Sequence, residues 1–155
     1  MKKIIMILTV FLSGWSMMNA QNPMEELIAK YADVKGARDF VASGSMMGIA
    51  RGFIRKYPVA PIADDVKELA VLKMERTAEQ VRIDFQKELD QVLKSYEYYG
   101  KQETKMGIVD VYVLKTSPET VSELVIYNPS IWSLNCLYGV FSVESLLSLD
   151  AGRNR

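Results

Sequence analysis

Residues 108–127 read IVDVYVLKTSPETVSELVIY: two alternating, β-branched runs joined by Thr116-Ser117-Pro118-Glu119. Strand-like alternation on either side of a proline turn predicts an antiparallel hairpin of Ile108–Lys115 with Thr120–Tyr127. Successive side chains point to opposite faces of a strand. Val109, Val111 and Val113 therefore share one face, and Ile108, Asp110, Tyr112 and Leu114 the other. A four-residue turn would pair Val111 with Leu124 and Tyr112 with Glu123. A three-residue turn would exchange the partner's faces, because strand period is two. In either register both faces hold large apolar side chains. Such a sheet is either covered by helices on both faces or keeps one mixed, tyrosine-rich face open.

The flanking sequence extends the hairpin into a sheet. Tyr98–Lys105 reads as a strand broken near Gly107. Asn128-Pro129-Ser130 turns the chain into a further strand, Ile131–Tyr138, and Ser142 can cap a final helix, Val143–Leu149. Consecutive strands joined by short turns pair antiparallel. Upstream stands the clearest helix of the chain. Thr77-Ala78-Glu79-Gln80 reads as a capping box. Val81, Phe85, Leu89, Val92, Leu93 and Tyr96 follow as one apolar stripe at helical spacing. Asp90 and Lys94 stand four apart as a favourable pair, and Lys87 can neutralise Asp84 and Glu88. Before this helix Glu68–Glu75 reads as a strand, and Pro58 and Pro61 bracket a loop. Residues 44–57 read as a helix with glycines at 44, 48 and 52, a line on which it can lie close to a sheet. Ala37–Ser43 is a short strand, and Gly36 ends the region before it. Asn22 and Pro23 open the first helix of the folded part, with Leu27, Ile28 and Tyr31 on one face. The fold class is α+β: a largely antiparallel β-sheet with helices packed against it, in a single domain.

The first twenty residues belong to a different economy of sequence. Met1-Lys2-Lys3 is a short basic start, Ile4–Leu12 an apolar run, and Ala20 a small residue at a cleavage position. That order reads as a secretory signal peptide over residues 1–20, with 21–155 as the exported domain. The run is too short to span a bilayer, which takes about 20 residues. No cysteine stands at the cleavage site to receive a lipid, so a periplasmic or secreted protein is expected, neither lipid-anchored nor stably held in a membrane. Cleavage leaves 17 basic and 19 acidic side chains, a balance that argues against nucleic acid.

The composition removes much catalytic chemistry. The chain has no histidine and one cysteine, Cys136. Ser-His-Asp and Cys-His catalysis and the common zinc sets are therefore excluded. No phosphate-cradling glycine loop is present, and neither a cofactor nor a metal is expected. Cys136 lies in an alternating strand with no cationic neighbour in sequence and reads as a buried small hydrophobe. Asp64 and Asp65, clustered with Glu68, read as a helix N-terminus, with Asp64 as the cap and Asp65 favouring the dipole, ahead of any calcium or glycosidase site. Tyrosines remain. Tyr96, Tyr98 and Tyr99 cluster where the long helix ends, and Tyr112 and Tyr127 lie mid-strand. Tyrosine offers wide amphipathic contact at low entropy cost, so Tyr99, Tyr112 and Tyr127 are the candidate binding residues.

Three stretches together resemble a family of exported Bacteroidota proteins, the domain of unknown function numbered 4252, or a close relative of it. They are the junction Phe40–Met47 (FVASGSMM), the strand Leu69–Leu72 leading into the long helix, and Leu137–Leu147 (LYGVFSVESLL). The resemblance implies an exported α+β domain of Gram-negative envelopes, sometimes encoded near extracytoplasmic sigma factors, and brings no catalytic residues with it. The expected function is a non-enzymatic envelope binding or interaction module, with an envelope protein partner or self-association. A carboxylate and tyrosine enzyme acting on glycans or peptides, and a structural homo-oligomer, are the alternatives.

Overall fold

The computed structural model describes residues 22–55 and 59–151. The signal-peptide reading, and Lys56, Tyr57 and Pro58, lie outside them. The 108–127 hairpin is present as β4 (Gly107–Ser117) and β5 (Thr120–Asn128). It belongs to a six-stranded, wholly antiparallel sheet with β1 (Arg38–Ser43), β2 (Val66–Lys73), β3 (Glu97–Thr104) and β6 (Ser133–Ser142), in the order β1-β2-β6-β5-β4-β3. Four α-helices stand among the described residues: α1 (Pro23–Ala32), α2 (Met47–Ile54), α3 (Glu79–Leu93) and α4 (Val143–Ala151).

Helices cover both faces. One core joins Met24, Leu27, Ile28 and Tyr31 of α1 with Phe85, Leu89 and Leu93 of α3 over Leu72, Val125, Leu134 and Cys136 of the sheet. The other joins Met47, Ala50 and Ile54 of α2 and Leu146 of α4 over Val66, Leu124, Leu137 and Phe141. The apolar stripe of the long helix is thus the core-facing one: Phe85, Leu89 and Leu93 are buried, and Val81, Val92 and Tyr96 pack at its margin. Tyr31 meets Phe85 edge to face with ring centroids 5.2 Å apart, which fixes α1 beside α3. Cys136 is fully buried and unpaired.

The turn of the hairpin is tighter than either reading of it. Ser117 pairs with Thr120 and leaves Pro118-Glu119 as the two-residue loop. Register shifts at Lys115 then carry Val111 to Ile126 and Tyr112 to Val125, two residues beyond the four-residue-turn pairing. Because the displacement is even, the faces come out as that pairing assigned them.

Caps and charges depart from expectation in several places. Asn22 accepts from the Met24 amide at 2.8 Å, and Ser142 from the Ser145 amide at 3.0 Å, so both outer caps form. The capping box does not. The cap position is Ala78, and Thr77 turns inward to donate to the Met74 carbonyl at 2.6 Å, where burial makes that acceptor the better partner. Lys94 reaches Gln91 and leaves Asp90 to Gln86. Glu88 pairs with Lys30 of α1, because α1 lies alongside, so Lys87 is not its partner. Asp64 and Asp65 end a 3-10 segment (Ala60–Asp65) and open β2; they cap no helix, and Asp64 faces Arg55.

The glycine line is the largest correction. A Cβ added at Gly48 or Gly52 would meet nothing within 4 Å. Helix α2 turns Met47, Ala50 and Ile54 to the sheet and its glycines elsewhere. Close approach is required instead at Gly139, where a Cβ would overlap the Asp65 carbonyl oxygen. There the strand passes under the segment that feeds β2. Two contrasting outcomes follow in urea denaturation. Gly139→Ala destabilises, whereas Gly48→Ala gains roughly 0.5–1 kcal/mol, the usual cost of a glycine inside a helix. Phe85→Ala costs about 3–5 kcal/mol; a loss below about 1 kcal/mol would mean that α3 does not close the core.

Candidate binding surface

The three tyrosines singled out from sequence reach three different settings. Tyr127 is buried beneath α3, where its hydroxyl donates to Gln86 Oε1 at 2.7 Å. It is a core residue with a satisfied polar tip. Tyr99 packs on the opposite face, at the margin of the α2–α4 core. The reason is a bulge: the β3–β4 register shifts between Tyr98 and Gly100. Tyr112 alone of the three sits on the α1–α3 face where that face opens toward the β3 edge.

At that opening Tyr112 has a partner that the strand alternation missed. Tyr98, opposite it on β3, is 50% exposed. The rings lie 5.1 Å apart at an interplanar angle of 52°. One position along, Asp110 accepts from the Tyr98 hydroxyl and from Lys101 Nζ, each at 2.9 Å. Desolvation and the adjacent Asp110 charge both push the Tyr98 phenol upward, and burial does the same to Tyr112. Both phenols are therefore neutral donors at physiological pH. Two aromatic rings, a carboxylate and an ammonium form a ledge where β3 and β4 run past the helices. A glycine inside a strand often marks a bulge, so Gly100 was the available signal that Tyr98 and Tyr99 exchange roles.

A second polar group lies deeper on the same face. Glu68, Tyr138 and Glu123 stand abreast on β2, β6 and β5, since Tyr138 pairs with both carboxylate residues. Glu123 is only 5% exposed and accepts a hydrogen bond from the Tyr96 hydroxyl. Burial raises its pKa above the usual carboxylate range, against the Tyr96 hydrogen bond, and the Glu25 charge adds to the rise. Glu25, in the first turn of α1, is itself raised by burial and by Glu68. The Tyr138 hydroxyl is buried with no hydrogen-bond partner among the described residues, and Cys136 lies two residues away on the same face. In front of Tyr96 is a groove of about 600 Å³ between Asn22 and Pro23 of α1 and Gln91, Val92 and Ser95 at the end of α3, with Leu114 below.

These groups can bind and can hold protons. Among the described residues no three His, Cys, Asp or Glu side chains converge to hold a metal ion. No helix among them is long and apolar enough to cross a membrane. No family model, curated protein or solved structure matches the chain.

Glu123 supplies a test in pH. Its raised pKa means that the folded state holds the proton more tightly than the unfolded chain does. Its contribution is full in acid and is lost as pH rises through the raised value. Glutamine keeps an acceptor for Tyr96 and removes that loss. Glu123→Gln therefore gains stability relative to the parent as pH rises above the ordinary carboxylate value and through the raised one, read by urea denaturation. A difference that does not change with pH would mean that Glu123 is solvated.

Proposed function

We propose that the protein is an exported, non-enzymatic binding module of the cell envelope, and that it contacts a protein partner through the Tyr98–Tyr112 ledge. The observation that carries this reading is the paired tyrosines where the α1–α3 face opens at the β3 edge, Tyr98 half exposed against Tyr112. Aromatic rings with polar tips are enriched at protein contacts, because each presents a large area with few torsions to freeze. The Lys101–Asp110 pair beside them offers both signs of charge for orientation. The basic start, short apolar run and small residue over 1–20 support export.

A carboxylate and tyrosine enzyme acting on envelope glycans or peptides is the second reading, favoured by the groove at Tyr96, whose hydroxyl donates to Glu123. It ranks below the first because Glu123 does not line the groove, and neither a second carboxylate nor a histidine or lysine is among its lining residues.

The two separate by experiment. Tyr98→Ala and Tyr112→Ala, each verified as folded, are compared with the parent in a pull-down from envelope extract. The binding reading expects each variant to lose at least tenfold of a partner that Glu123→Gln retains. Turnover of an envelope glycan or peptide by the parent, abolished by Glu123→Gln, would replace binding with catalysis.

A further inference from the structure

The two edges of the sheet are built differently. Strand β3 carries a register shift after Tyr98, Gly100 at a φ of 136°, and Glu97, Lys101 and Glu103 along its length. A bulge and repeated charges are the means by which an edge strand refuses another strand. Strand β1, the opposite edge, pairs with β2 through all six residues without a shift. After Asp39 it has no charge and no proline. Phe40 and Val41, on its two faces, are 46% and 47% exposed. From Ser43 the chain passes through a single 3-10 turn (Gly44–Met46) into α2, where Met46 is exposed and Ile49, at 72%, is the most exposed large apolar side chain described. Arg51 and Arg55, on the opposite flank of α2, reach the Val66 carbonyl and Asp64. The Met46–Ile49 flank is thus turned away from the segment that feeds β2. An unguarded edge beside an apolar helix flank is a template for one more strand.

We propose that this strand comes from a second copy of the chain, β1 pairing antiparallel with β1 about a two-fold axis at Val41. The argument for a second copy is that the strand complements itself. A two-fold axis normal to the sheet keeps like faces together and pairs residues of like parity. With the axis at Val41, Phe40 stands opposite the partner subunit's Ala42, a large side chain against a small one. Asp39 stands opposite the partner subunit's Ser43, whose hydroxyl can donate to the carboxylate. Val41 meets its own copy. With the axis at Phe40, Asp39 would face a valine, leaving its carboxylate without a partner; Arg38 faces a small residue in either register and does not decide between them. Directly opposed pairs set the energetics of an antiparallel ladder, so the Val41 register is the better one. In it the Phe40 ring arrives next to Ala42, where the other chain turns toward Met46 and Ile49 of α2.

The paired stretch, residues 39–43, runs about 17 Å along the edge. With Phe40, Val41, Met46 and Ile49 of both copies, the buried surface is on the order of 1,000 Å², the lower limit for a specific contact. A reversible dimer is expected. The contact lies on the far edge of the sheet from the Tyr98–Tyr112 ledge, so it stands or falls independently of the proposed partner site.

Sedimentation equilibrium of the purified protein, from low micromolar to millimolar concentration, tests the dimer. The expected result is a mass that climbs from one copy toward two, and a Val41→Lys variant of unchanged circular dichroism that stays at one. Crosslinking tests the register. Antiparallel pairs hold Cα atoms about 4.5–5.5 Å apart, within disulfide reach. Val41→Cys, paired with itself, should form a covalent dimer with oxidised glutathione, and Phe40→Cys, facing an alanine, at least tenfold less. Cys136 is buried and does not compete. A parent that remains one copy at every concentration would overturn the proposal. So would assembly that survives Val41→Lys, or a Phe40→Cys variant that crosslinks better than Val41→Cys.

Discussion

Strands β5 and β6 are apolar on both faces, and the remaining architecture answers that constraint. Leu124 and Leu137 face one way, while Val125 and Cys136, their immediate neighbours, face the other, all of them buried. Leaving either face in water would expose a contiguous apolar patch at the centre of the molecule, and monomeric proteins rarely tolerate one. The four helices are accordingly divided, α1 and α3 to one face, α2 and α4 to the other. Short β-turns cannot place helices on both sides of a sheet. The chain does so by placing a helix before β1, one between β1 and β2, one between β2 and β3, and a last one after β6.

Much of this was legible because it rests on local periodicity. The Phe85–Leu89 stripe, the alternation on either side of Pro118, and the Asn22 and Ser142 caps each depend on residues within a turn or two of one another. What escaped depends on which groups the tertiary fold buries, or on residues far apart in the chain. The glycine spacing does not tell which side of α2 meets the sheet; Met47, Ala50 and Ile54 are the residues that the sheet buries. Thr77 has two hydrogen-bonding options, and only the buried Met74 carbonyl selects between them. Lys30 and Glu88 meet because two helices lie side by side, and no spacing rule within α3 foretells that.

The candidate site divides in the same way. The composition pointed to tyrosines, and the alternation placed Tyr112 on the strand it occupies, β4. Tyr127 went to the core because α3 lies across it, and Tyr99 to the other face because a bulge at Gly100 reverses the alternation. The Tyr96–Glu123 pair joins the end of a helix to the middle of a strand 27 residues later. A glutamate within the apolar run VSELVIY was the one local sign of it. Burying a carboxylate there has a cost that the Tyr96 hydroxyl partly offsets. The open surfaces are consequently at the two ends of the strand order, the β3–β4 ledge and the β1 edge, since the centre is closed on both sides.

Amide hydrogen exchange on the free protein tests that two-sided closure most directly. Cover from both faces predicts that the slowest-exchanging amides cluster in residues 121–127 and 134–141, with β3 markedly faster. Exchange in 134–141 as rapid as in 97–104 would contradict it, because one face of the central strands would then be open to water.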